Sequence, residues 1–344
     1  MELCLRVKLA RTIWRCVREG RVDIEDSRCY GPHPMQRRTS RSRRFSRVLS
    51  LCLIMLPGLS WASAPQEPMH VVVTIPVLKD LAEQVGGSHI QVTSLLKGYE
   101  NEHTYSPKPS DLIAVRKARL LFEVGIGLEV WVSSLVKNAG SPSLRVITTS
   151  RGIGLIGDVE MHDDQHSTDR VRERGNPHVW LDPENAVTIM RHITEALIEA
   201  DPIHARDYRD NQAAYLRRLD QLRTDLTDRA RALTDRRFIA HHPAWPYFSR
   251  RFGFEIVGTI QLQSGSEPSA RHIQELVRVM KKQKIRVVVS EIQLSQRLPE
   301  LLAKETGARV VVLTTLPGGL PGTDTYLDML RYNVLQLVNA LDAA

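Results

Sequence analysis

Three histidines lie where strands of a parallel sheet would deliver side chains to a common edge. His103 sits in "NEHTYSPKPSD", a loop marked by Pro107, Pro109 and short polar residues, just after the apolar run "IQVTSLL". His178 sits in the proline-flanked "NPHVWLDP" ahead of a helix, and His242 closes "RFIAHH" ahead of "PAWPYF". Ligands of open parallel sheets gather outside the carboxyl ends of the strands, so imidazoles at these places can converge. Two acidic residues share the second half: Glu291, ending "IRVVVSE", and Glu267, in "SGSEPSA". Neutral imidazole suits zinc, whereas manganese takes carboxylate oxygen more readily. Cys4, Cys16, Cys29 and Cys52 all precede Ala64, so a metal site further along is built from histidine and carboxylate, without thiolate.

Each residue also has a plainer role open to it. A single loop histidine is commonly a solvated or hydrogen-bonding group. His178, two residues from Trp180, could simply pack. One of His241 and His242 points away from a shared site if the strand runs through both. Glu267 could cap the helix that follows it, and Glu291 could do likewise. His70, His89, His192, His204 and His272 fall on strands or helix faces with no convergent partner. The metal reading rests on three histidines at strand ends together, not on any one of them.

The elements that would position them alternate. "HVVVTIPVL" is a β-branched run with the look of a buried strand. "KDLAEQVGG" follows as a helix ending in glycines, then strand "IQVTSLL", helix "SDLIAVRKA", strand "RLLFEVG", helix "LEVWVSSLVKNAG" and strand "LRVITTS". A polar stretch, residues 157–176, carries His162, Asp163, Asp164 and His166 and lacks periodicity, which predicts a loop. After the helix "PENAVTIMRHITEALIEAD", the pattern from His204 to Leu233 reads as one uninterrupted helix about 45 Å long. The alternation then restarts through "FEIVGTIQL", "SARHIQELVRVMKKQ", "IRVVVSEI", "LPELLAKETG", "ARVVVLTTL" and "TYLDMLRYNVLQLVNAL". This predicts an α/β fold of two parallel-sheet lobes joined by a long rigid helix. The expected divisions are 65–202, 203–235 and 236–344.

Charge narrows the function. The chain of 344 residues has a formal net charge of +8. Residues 1–64 hold 13 basic and 5 acidic residues, and the remainder holds 34 of each. The body therefore carries no basic excess to attract a phosphate backbone, which argues against nucleic acid as a partner. "MQRRTSRSRRFSR", "VLSLCLIMLPGLSW" and "ASA" (Ala62–Ala64) read as the basic, apolar and cleavage regions of a signal peptide. The expectation is a start at Met35, with residues 1–34 an over-extended gene start, cleavage near Ala64, and export to the periplasm. Leu51 before Cys52 is bulkier than lipid-attachment sites usually carry, which favours a freely diffusing product.

"NEHTYSPKPSD", "NPHVWLDPENA", "HHPAWPYFSRRFG", "SEPSARHIQELV" and "SEIQLSQRLPELLAKETGARVVVL" resemble, in order, the signatures of the metal-binding solute-binding proteins of ABC transporters. These are the zinc/manganese periplasmic receptors of the cluster 9 type. The resemblance covers nearly all of residues 69–344. It implies a metal between two α/β lobes, with His103, His178 and His242 matching the family's first three ligands. The third ligand is often glutamate in manganese-type members, so His242 points to Zn2+ over Mn2+. Zinc-type relatives also carry a His/acid-rich loop where His162–His166 stand. The family's fourth ligand is typically an aspartate after the last main strand. Here "VVVLTTLPGG" puts Thr314 in that place, which leaves water, Glu291 or the more remote Asp324 to complete the set.

The resemblance implies a monomeric receptor that hands Zn2+ to an ABC permease powered by a separate ATPase subunit. A manganese, iron or metal-chelate receptor is the nearest alternative, and an adhesin of the same build another. Three histidines with an open position also describe a zinc hydrolase, because zinc-bound water can become a nucleophile near neutral pH. The chain has no H-E-x-x-H, G-x-S-x-G or phosphate-loop motif, so no enzyme is expected.

Overall fold

The computed structural model describes residues 67–157 and 175–343. The expected signal peptide, the expected gene-start extension over 1–34 and the stretch carrying His162, Asp163, Asp164 and His166 lie outside the described residues. The first half contributes strands β1 (Met69–Val73), β2 (Ile90–Ser94), β3 (Leu120–Glu123) and β4 (Arg145–Thr148). They pair in parallel in the order β2-β1-β3-β4. Helices α1 (Pro76–Gly86), α2 (Pro109–Lys117) and α3 (Val132–Ala139) connect them. The second half repeats the plan with β5 (Arg237–Ala240), β6 (Glu255–Thr259), β7 (Val287–Glu291) and β8 (Arg309–Leu313), in the order β6-β5-β7-β8. Its connectors are α6 (Pro246–Phe252), α7 (Ala270–Gln283) and α8 (Arg297–Thr306). Helices α4 (Pro183–Ala200), α5 (Ala205–Arg231) and α9 (Tyr326–Asp342) complete the chain.

Two expected strands end early, for local reasons. The run from His70 to Leu78 becomes helix at Pro76, whose fixed φ suits the first helical turn. Val77 and Leu78 are buried on that helix, not on the sheet. The strand before the two adjacent histidines stops at Ala240, and Pro243 and Pro246 turn the chain into α6, a helix the sequence pattern did not announce. Both His241 and His242 are consequently buried, in different surroundings, without obeying strand alternation.

Helix α5 is polar along most of its length. Its buried stripe of Tyr208, Tyr215, Leu219, Leu222, Leu226 and Ala230 recurs at three- to four-residue intervals once past Tyr215, which marks one helical face. That face packs on α1 and α4 from the first half and on α6 and α9 from the second. One buried core runs through both halves, from Val71 and Phe122 to Phe238 and Leu313.

Specific bonds join the halves as well. Asp80 on α1 accepts from the Tyr215 hydroxyl at 3.2 Å and from the Tyr326 backbone at 2.9 Å. The Trp180 indole donates to the Thr315 carbonyl at 2.7 Å, and the Tyr326 hydroxyl donates to the Trp180 carbonyl at 2.6 Å. Asp182 caps α4 by accepting from the Glu184 backbone and holds Arg251 at 2.5 and 3.1 Å. Such directional contacts hold the halves at a fixed angle, because none survives a sliding or hinging displacement of a few ångströms.

Candidate metal centre

The loops leaving β2 and β5 and the turn before α4 meet at the carboxyl ends of the strands. They bring His103, His178 and His242 together, with one ring nitrogen of each within 4.8 Å of the others. His178 is central. Its Nε2 lies 3.1 Å from His103 Nε2 and 3.4 Å from His242 Nε2. A tetrahedral zinc with nitrogen ligands near 2.0 Å would hold those nitrogens about 3.3 Å apart. His178 and His242 are buried and His103 is partly buried, so the group opens to solvent on the His103 side.

The His178 imidazole is oriented from behind. The Asn176 Oδ1 accepts from the His178 backbone at 3.0 Å and lies 2.9 Å from its Nδ1. With Nδ1 carrying the proton, Nε2 presents its lone pair to the centre. The Asn176 amide also donates to the Pro243 carbonyl, tying the His178 turn to the His242 loop. His103 is set by its own backbone N–H, which donates to Asn101 Oδ1 at 2.9 Å. Behind it, the Tyr105 hydroxyl donates to Asp111, which also accepts from the Lys108 backbone at the start of α2.

Glu291 does not join the three ring nitrogens. Its Oε1 lies 3.2 Å from His242 Nδ1, on the far side of the ring from Nε2, and accepts from the Trp245 indole. The His242 contact is within ion-pair range but is not aligned as a hydrogen bond, and Glu291 Oε2 has no hydrogen-bond partner. His241 turns away from the centre, its Nδ1 3.1 Å from the Ser290 hydroxyl. Thr314 is engaged locally: its hydroxyl donates to the Leu316 carbonyl at 2.7 Å and accepts from the Leu316 backbone and the Gln293 amide. Glu267 is exposed before α7, whose cap is Ser269. Asp324 lines a separate hollow with Lys79, Asp80 and Lys97.

The carboxylate nearest the centre is one the sequence reading passed over. Glu102 is only 3 % exposed, and its Oε1 lies 3.7 Å from His178 Nε2. The Thr315 hydroxyl donates to the same oxygen at 3.2 Å. The signal was present in the adjacent Glu102-His103 pair, but a loop acid beside a histidine reads as solvated until burial is known.

Burial governs the protonation of the group. It pulls His103 down to about 4 and His178 well below the ordinary histidine value, and the charge on His242 adds to both effects. Burial also opposes charge on His242, but Glu291 and Glu102 outweigh it and raise that imidazole. Burial raises Glu102, against the opposing pull of His242. Two neutral imidazoles, one that carries a proton readily, and two buried carboxylates make a strong demand for a compact divalent cation.

A family model described as the zinc-uptake complex component A, periplasmic (ZnuA), matches residues 71–340. The chain belongs to this family. Among curated relatives of the family, a putative metal-binding protein of Treponema pallidum is 30% identical over 277 residues, covering 80% of this chain and 87% of the relative. The high-affinity zinc uptake system protein ZnuA of Bacillus subtilis is 27% identical over 310 residues, covering 86% and 96%. The manganese-binding lipoprotein MntA of Halalkalibacterium halodurans is 27% identical over 313 residues, covering 86% and 98%. A solved zinc-bound ZnuA deletion mutant superposes with a TM-score of 0.69 at 29% identity, covering 80% of this chain and 98% of that one. The two-lobed α/β architecture with its long connecting helix is therefore that of the ZnuA family, whose members are metal-binding receptors of ABC uptake systems.

Proposed function

We propose that this protein is an exported receptor that captures one Zn2+ between its two halves and delivers it to an ABC permease. A separate ATPase subunit would power the transfer. The observation that carries this reading is the convergence of His103, His178 and His242, with Nε2 separations of 3.1 and 3.4 Å around His178. Glu102 is the proposed fourth group, supplying buried charge beside His178. Glu291 is proposed as an orienting partner of His242, because its carboxylate faces Nδ1 and not Nε2. Three nitrogens and a single carboxylate favour zinc over manganese on donor chemistry.

Binding without turnover fits the same geometry. Hydrolysis would need a general base placed to take a proton from a metal-bound water, and Glu102, with its Oε1 3.7 Å from His178 Nε2, is given the role of a charge beside the ligands instead. A manganese receptor is the second reading, favoured by the buried carboxylates Glu102 and Glu291 and by the relative named for manganese. Competitive titration of the protein with Zn2+ and Mn2+ against chelators of known affinity separates the two. Tight binding of one equivalent of Zn2+, lost in His103→Ala and His178→Ala, supports the receptor reading. Preferential retention of Mn2+ selects the second. Zinc-dependent ester or peptide hydrolysis abolished by the same substitutions would overturn both.

A further inference from the structure

The loop carrying Glu102 and His103 leaves the first half but is gripped by the second. Gly98 is buried at its base and adopts φ 110, a backbone setting that favours glycine. A Cβ there would stand 2.9 Å from Gly319 N and closer still to the Pro317 carbonyl. A Cβ on Gly319 would meet Gly98 O at 2.8 Å and crowd the Thr314 hydroxyl. The two backbones thus touch with no room for a side chain on either. The Gln293 amide bridges this contact, donating to Gly98 O at 2.7 Å and to Thr314 Oγ1 at 3.0 Å. The next residue of the same segment, Thr315, donates to Glu102 itself.

We infer that Gln293 and the Gly98–Gly319 backbone contact form a clamp that holds the Glu102–His103 loop in its ligating position. Gln293 is then a positioning residue that sets how long the metal is retained. The inference rests on the proposal that these loops bind metal. It also gives Thr314 a role in place of ligation: its hydroxyl receives the clamping amide. Gln293 touches none of the three histidines in the hydrogen-bond network, so its influence on the metal runs through the loop.

The test uses the intact protein loaded with Zn2+ and, separately, Co2+ as a spectroscopic probe. Gln293→Met keeps side-chain length and removes both donated bonds. Zn2+ release to a chromogenic chelator is expected to accelerate about tenfold. The visible Co2+ band should shift as the loop ligands loosen, while the metal-free Tm stays within about 2 °C of the parent. Gly319→Ala, which pushes the same backbones apart, should act in the same direction. Release within a factor of about two of the parent in both variants would overturn the clamp. So would a Tm loss equal in metal-free and loaded protein with an unchanged Co2+ band, which marks a merely structural contact. If the parent itself retains neither metal, the receptor proposal fails first and the clamp with it.

Discussion

Substituting Glu102 by Gln preserves its shape and its contact with Thr315 but removes one buried negative charge. Among the described residues, Glu102 has no lysine or arginine in its hydrogen bonds or ion pairs; its polar neighbours are the Thr315 hydroxyl, the His178 ring and the His242 imidazole, whose charge opposes the effect of burial. Without metal, that charge is a cost of burial, expressed in its raised pKa. With a divalent cation held by the three imidazoles, it becomes an attraction. For unit charges about 4 Å apart at an effective dielectric near 20, one charge pair is worth about 4 kcal/mol. Reorganisation and water entry reduce this, so a net loss of about 3 kcal/mol in metal affinity is expected, on the order of 100-fold in Kd. The metal-free protein should gain or keep stability. The assay pairs chelator competition for Zn2+ with thermal denaturation of metal-free protein. A Kd within about threefold of the parent would refute the role given to Glu102. A fall in metal-free Tm would refute the claim that the cost of burying its charge outweighs the attraction of His242.

Three further outcomes follow from the same geometry. The raised His242 keeps its proton to higher pH than an ordinary histidine, while His103 and His178 stay neutral well below it. Metal must displace that proton, so affinity should be full above the His242 pKa and fall about tenfold per pH unit below it, as titrations between pH 8 and 5.5 will read. A flat profile through pH 6 would contradict the assignment. Asp182→Ala removes a helix cap and the nearer of the two carboxylates that hold Arg251, so urea unfolding should register a loss of about 2 kcal/mol, with m unchanged. Because the halves share one core and bonds such as Trp180 to Thr315, spin labels placed across the crevice should move by less than about 3 Å on adding Zn2+. A closure of domain scale would show that those bonds break in the metal-free state.

Much of this was legible in the sequence. Strand-helix alternation announced two parallel sheets, because β-branched runs such as "VVVSE" in the central strand β7 bury on both faces and so lack alternation. The long helix was legible from its unbroken pattern between Pro202 and the next strand. His103 and His242 were legible as residues in loops beyond strands and His178 as one in the proline-flanked turn before a helix, but their meeting depends on how the two sheets pack. What escaped had no local signature. Glu102 and Glu291 differ in their relation to the centre only through which ring nitrogen each faces, and no spacing records that. Asn176 orients His178 from two residues away, yet an asparagine before a proline reads as a turn. Thr314 stood out as a missing aspartate, but its bond to Gln293 depends on β7 and β8 lying side by side. Pro76 and the Pro243–Pro246 turn moved element ends, because proline starts helices as readily as it stops strands.

The central claim is that three imidazoles hold one cation. Zinc K-edge X-ray absorption on the stoichiometrically loaded protein tests it most directly. The expected spectrum shows three imidazole ligands with nitrogen at about 2.0 Å and a light oxygen shell beside them. A spectrum with one imidazole or none, unchanged by His178→Ala, would place the metal elsewhere and contradict the account.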